Sequence, residues 1–223
     1  AGRRDAISAQ FPGVTLIVPA GSPRQRSNDT DYPFRPHSAF TYLTGWGHSA
    51  TPGSILIAIA TATGHEWELV MRGPAPRTSD EFYANAAIGE FWTGRRPTLE
   101  DVGTWLGLTT REREGFELPA LTTGPRAIIR EADPVLTAEC DAVRGFTSPP
   151  ALDADLERVA SEMRLIKDDY EVSELRAAIA STHAGFNDIV EVLPRSIGHA
   201  RGERIVEGAF HSRARLEGNS VGY

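Results

Sequence analysis

Histidine is the commonest metal ligand and the side chain that moves protons near neutral pH. The sequence holds six, His37, His48, His65, His183, His199 and His211, and none has a second histidine four residues on. That spacing would set two imidazoles on one face of a helix. His65-Glu66 continues as Trp67-Glu68-Leu69, so the zinc-peptidase pattern is absent. Each histidine is therefore read as a surface or satisfied polar residue. No Gly-x-Ser-x-Gly elbow presents an acyl-transfer serine, and neither a Gly-x-x-x-x-Gly-Lys loop nor a Gly-x-Gly-x-x-Gly fingerprint cradles a nucleotide phosphate. The single cysteine, Cys140, excludes an intrachain disulfide and a thiolate zinc cage. It lies in a helix-like stretch, 134–144, where a small buried hydrophobe is the reading. The acid pairs Asp29/Asp31 and Asp168/Asp169 read as turn and cap residues rather than a general acid and base.

Two segments are less ordinary. Arg26-Ser27-Asn28-Asp29-Thr30-Asp31-Tyr32-Pro33-Phe34-Arg35 sets turn-forming polar residues beside the aromatic stretch that reaches Tyr42-Leu43-Thr44-Gly45. Its structural reading is a buried loop whose backbone groups are satisfied through Asn28 and Asp29. Glu90-Phe91-Trp92-Thr93-Gly94-Arg95-Arg96 puts a tryptophan next to two guanidiniums. Its structural reading is an aromatic packing anchor.

The elements that position these residues follow from pattern. Apolar runs at 14–18, 54–60, 66–71 and 126–130 have strand length, the first stopped by Pro19 and Gly21 and the middle two separated by the loop 61–65. A helix is expected at 3–10. Thr98-Leu99-Glu100-Asp101 is a capping box leading into another, and Asp133-Pro134 is an N-cap with proline at the first helical position. Strands mixed with helices up to residue 146 indicate an α/β domain with a mixed sheet. After 145–150 only helices are expected, at 153–163, from Asp168/Asp169 to about Leu193 where Pro194 stops it, and at about 203–216. In the second, Val172, Leu175, Ile179, Phe186, Ile189, Val190 and Leu193 form an apolar stripe, with Glu171, Glu174, Arg176 and Asp188 on the wet side. Either these helices close on the first domain, or other polypeptide supplies the layer that covers them.

Composition sets the outer limits. The 223 residues carry 23 Lys and Arg against 30 Asp and Glu, a net charge of −7, which disfavours a general nucleic-acid binder. Only Lys167 is a lysine, a skew that reflects genome composition. The chain is 40% hydrophobic and 24% charged, a core-forming composition. No apolar run reaches the roughly 18 residues of a membrane span, and the first residues lack the apolar stretch of a signal peptide. A cytoplasmic protein with no membrane and no nucleic-acid partner is expected.

Taken together, the segments 26–35, 42–45 and 90–96, the stretch 162–172 (Glu-Met-Arg-Leu-Ile-Lys-Asp-Asp-Tyr-Glu-Val) and the final 213–223 resemble, in order and over essentially the whole chain, the N-terminal half of the Xaa-Pro aminopeptidases. These are the aminopeptidase P group of the creatinase/prolidase/methionine-aminopeptidase superfamily. The resemblance implies a creatinase-like α/β N-terminal domain with a mixed sheet and flanking helices at 1–146, and a linker at 147–152. The first helices of a pita-bread catalytic domain follow at 153–223. Family members use two divalent ions, commonly manganese, held by two Asp, one His and two Glu, to release the residue that precedes a proline at position two of a peptide. All five ligands fall beyond Tyr223, so no metal ligand and no catalytic residue is assigned in this chain, and activity requires the C-terminal catalytic segment. Trp92 and Tyr223 match positions that line the substrate pocket, Trp92 from a neighbouring subunit of a homo-oligomer; core or interface packing is its alternative role. Arg95 and Arg96 are expected to make structural ion pairs or subunit contacts. Two other readings remain open: a non-catalytic oligomerisation module, and a prolidase or creatinase relative with another substrate.

Overall fold

The apolar runs form the centre of a five-stranded sheet in the computed structural model, which describes residues 2–118, 124–144 and 151–218. The strands are β1 (Thr15–Pro19), β4 (Ile55–Thr61), β5 (Gly64–Met71), β6 (Thr109–Glu112) and β7 (Arg126–Ile128), in the order β6-β5-β4-β1-β7. β4 is antiparallel to both β1 and β5, whereas β6 joins β5 and β7 joins β1 in parallel, so the sheet is mixed as expected. β2 (Gln25–Ser27) and β3 (Thr30–Asp31) make a separate exposed ribbon.

Continuous apolar runs mark strands covered on both faces. In β1, Leu16 and Val18 point to one cluster and Ile17 to the other; in β4, Leu56 and Ala58 oppose Ile55 and Ile57 in the same way. The first face is covered by Ile7 of α1 (Gly2–Ser8), Phe40 and Leu43 of α2 (Ser38–Thr44), Val102 of α5 (Leu99–Leu106), and Leu156 and Ala160 of α7 (Ala151–Glu162). Leu118, with Leu136 and Cys140 of α6 (Pro134–Ala142), covers the second. Two short helices, α3 (Glu81–Ala84) and α4 (Glu90–Thr93), lie between β5 and α5.

The capping box forms as the sequence indicates: Thr98 Oγ1 accepts from the Asp101 amide at 3.2 Å, and the Asp101 carboxylate accepts from the Thr98 amide at 2.9 Å. These bonds hold the Asp101 carboxyl below its ordinary range. Thr98→Ala is expected to lose about 1 kcal/mol of stability, the usual cost of an N-cap, read by urea denaturation.

The chain divides into compact units at 1–164 and 165–223. Sequence pattern alone puts a boundary at 146/153, but α7 begins at Ala151 and buries Leu156 fully in the first unit's core, so the α/β unit extends through Arg164. The second unit is a helical hairpin of α8 (Asp169–Ser196) and α9 (Gly202–Leu216). Asp168 and Glu171 close a second capping box at its start, with bonds of 2.9 and 3.1 Å. Pro194 does not stop α8, which continues two residues past it to Ser196, at the cost of the bond its missing N–H would make to the Val190 carbonyl. Gly185 lets the Phe210 ring approach, for an added Cβ would lie 2.8 Å from it.

Asp188 does not stay on the wet side. Arg213 of α9 grips its carboxylate with bonds of 2.7 and 2.9 Å. This holds the Asp188 carboxyl below its ordinary range. A carboxyl whose pKa is depressed by folding adds stability above its unfolded pKa, near about 4, and the contribution disappears as pH falls through the folded pKa. The difference in thermal midpoint between wild type and Asp188→Asn is therefore expected to be largest near neutral pH and to shrink below about pH 4.

Candidate functional site

The segment around Trp92 becomes a surface aromatic patch. An added Cβ at Gly89 would lie 2.3 to 2.8 Å from the carbonyl oxygens of Phe82, Asn85 and Glu81, so only glycine lets α3 and α4 meet this closely. Ala75 bonds to both sides of this turn, accepting from the Glu90 amide at 3.1 Å and donating to Ile88 at 3.0 Å, while Ile88 is buried. Arg72 ties α3 to the sheet through Glu81 at 2.7 Å. On this base, Phe82, Tyr83, Phe91 and Trp92 stack edge to face with centroids 5.0 to 5.9 Å apart. The Trp92 indole N–H donates to the Tyr83 carbonyl at 2.7 Å, which fixes the ring.

Trp92 is nevertheless 59% exposed, with Tyr83 at 67% and Phe91 at 57%. Neither hydrophobic cluster contains any of the three. Concentrated aromatic surface of this kind marks interaction sites. Sequence reading found Phe91 and Trp92 but missed Phe82 and Tyr83; the available signal was a second aromatic pair nine residues upstream.

Arg95 and Arg96 form no ion pair among the described residues. Arg95 acts on Asp101 only through its field. Arg96 is half-buried, its Nη1 has no hydrogen-bond partner, and burial lowers its pKa. The run from Arg26 to Arg35 is no buried loop. Its first part lies in the exposed β2–β3 ribbon, where Asn28 contributes its backbone carbonyl to Gln25 at 2.7 Å, and Phe34 beyond it packs in part against the main core. Tyr42-Leu43-Thr44-Gly45 ends α2: Gly45 takes φ 78°, and the Thr44 hydroxyl accepts from the Trp46 amide at 2.9 Å. Tyr42 donates to the Met163 carbonyl at 3.0 Å, and the Arg3 guanidinium lies over its ring. These conspicuous segments are thus partly scaffold.

The histidines stay dispersed, and among the described residues no three His, Cys, Asp or Glu side chains converge as a metal site. His37 caps α2 through Nδ1 and meets Glu131 at 3.0 Å. Cys140 is fully buried, and burial pushes its thiol pKa up, which removes a neutral-pH nucleophile. Tyr223 lies outside the described residues.

A five-stranded mixed sheet with this helix order defines the aminopeptidase P N-terminal fold. It superposes on aminopeptidase P from Escherichia coli with the inhibitor Pro-Leu at a TM-score of 0.75 and 24% identity, over 97% of this chain and 48% of that one. The family model for the aminopeptidase P N-terminal domain matches residues 1–111. Xaa-Pro aminopeptidase 2 of Streptomyces coelicolor is 40% identical over 99% of this chain and 45% of its own length. Xaa-Pro aminopeptidase 1 of the same organism is 39% identical over 100% of this chain and 44% of its own length. The chain belongs to the aminopeptidase P family through its N-terminal domain, and spans about half the length of the curated relatives it matches.

Proposed function

We propose that this chain is the non-ligating half of a metallopeptidase that removes the N-terminal residue from peptides with proline at position two. The observation that carries it is the near-40% identity, over the whole chain, to two Xaa-Pro aminopeptidases. On this reading the two divalent ions, manganese by resemblance, are held by the C-terminal segment, where they would activate water and polarise the scissile carbonyl. This chain contributes binding surface instead. The indole of Trp92, fixed by Tyr83 and Phe91, contacts peptide or the pocket rim of a second copy in a homo-oligomer; a pocket role for Tyr223 rests on the resemblance alone. A cytoplasmic location is part of this reading, supported by the single cysteine of the sequence.

The 223-residue chain alone is expected to bind no manganese and to leave Xaa-Pro peptides intact. Fused to the C-terminal segment of the Streptomyces coelicolor enzyme, it is expected to hydrolyse them in a metal-dependent way. In that fusion Trp92→Ala should lower kcat/KM at least about tenfold, a contact of about 1.4 kcal/mol, with metal content unchanged. A folded, metal-loaded fusion that cleaves only dipeptides or creatine would point to a prolidase or creatinase. One that self-associates without hydrolysis would point to an oligomerisation module.

A further inference from the structure

A cleft of about 590 Å³ lies between the C-terminal end of α1 and the β4–β5 hairpin, remote in sequence from the aromatic patch. Its size is that of a small-ligand pocket. The polar wall is formed by Asp5, Ser8, Thr61, Thr63 and His65, and Trp67 supplies an aromatic side. Trp67 packs in part against the main core, so that side of the cleft is rigid.

The protein leaves three of these groups uncompensated. His65 Nε2 lies 2.7 Å from the Val14 carbonyl, which can only accept, so Nε2 carries the proton and Nδ1 is a bare lone pair. That Nδ1 is buried and has no hydrogen-bond partner. The Ser8 hydroxyl is likewise buried and unpartnered. Asp5 is the one carboxylate on the wall; it is exposed and forms no ion pair among the described residues, and the neighbouring Arg4 acts on it only through its field. A carboxylate, a lone pair held by a pinned ring, three hydroxyls and an indole together ask for N–H donors on a positively charged, partly apolar group.

We propose that this cleft binds a small organic cation of the guanidinium or alkylammonium kind. The charge pairs with Asp5, its N–H groups reach the hydroxyls and the His65 side, and the carbon chain lies along Trp67.

The probe is agmatine, titrated into the 223-residue chain and followed through the indole and imidazole NMR signals. Saturable shifts confined among the four tryptophans to Trp67, together with shifts at His65, are expected. Asp5→Asn should weaken binding about tenfold, as loss of one charge-assisted contact predicts, with an unchanged thermal midpoint. N-butylurea, similar in shape but uncharged, should bind at least about tenfold more weakly than agmatine, a comparison that holds even if Asp5→Asn unfolds. No saturation by about 10 mM agmatine, shifts confined to other tryptophans, or equal binding of N-butylurea would overturn the proposal. The measurement needs neither metal nor peptide hydrolysis, so its failure leaves the peptidase reading intact.

Discussion

Asp153→Ala is expected to lower the stability of the 223-residue chain by about 3–5 kcal/mol, the range for breaking one side of a buried ion pair. Asp153 opens α7 and is 2% exposed. Its Oδ1 accepts from the Ile128 amide of β7 at 3.0 Å and from Arg144, and its Oδ2 accepts from Arg130 at 3.0 Å. One carboxylate thus joins β7, the end of α6 and the start of α7. Arg144, only 7% exposed as a side chain, would be left with a weaker contact, Asp141 at 3.5 Å. Uncompensated buried charge, more than loss of the hydrogen bonds themselves, sets the magnitude. Arg130 is better protected, because Asp141 also holds it with bonds of 3.0 and 2.7 Å. Arg130→Ala should therefore cost clearly less than Asp153→Ala. Urea denaturation of both variants measures this, and a loss below about 1 kcal/mol for Asp153→Ala would show that the cluster is not a buried tie.

The second large effect concerns α8. Leu175, Ile179, Phe186 and Val190 are between 51% and 67% exposed, so the stripe is uncovered along much of the helix. Apolar surface of this length is rarely left to water in a finished protein. Under the proposed function, the C-terminal segment covers it, each side chain contributing about 1.5–3 kcal/mol on burial. The triple variant Leu175→Glu, Ile179→Glu, Val190→Glu in the fusion with the Streptomyces coelicolor segment is expected to abolish peptide hydrolysis and manganese retention. In the isolated chain the same changes should leave helicity intact and reduce self-association. Circular dichroism, sedimentation and metal analysis separate these outcomes. Full activity of the triple variant would mean that the stripe has no covering role.

Much of the fold was legible because the apolar pattern is strong where the core is deep. β1 and β4 carry long aliphatic runs and β5 ends in Leu69-Val70-Met71, while the caps at Thr98, Asp133 and Asp168 announce their helices through side chains that reach only three residues along the chain. β6 was not legible. Its residues, Thr109-Thr110-Arg111-Glu112, are polar or charged, and the strand exists because β5 offers an edge in parallel register. The aromatic patch was half legible: Phe91-Trp92 stood out in sequence, but its closure by Phe82 and Tyr83 depends on the backbone approach that Gly89 permits.

The sequence by itself determined the α/β class, the helices that follow residue 150 and the absence of the recognisable catalytic motifs. Those are properties of local spacing, set by the periods of strand and helix and by short-range caps. Only the tertiary structure decided that α7 belongs to the first unit and that Asp188 pairs with Arg213. It likewise decided that the first part of the 26–35 run lies in an exposed ribbon and that Asp5, His65 and Trp67 share one cleft. Each of these depends on which surfaces meet across long stretches of chain, and burial and charge pairing act on that proximity whatever the separation in sequence.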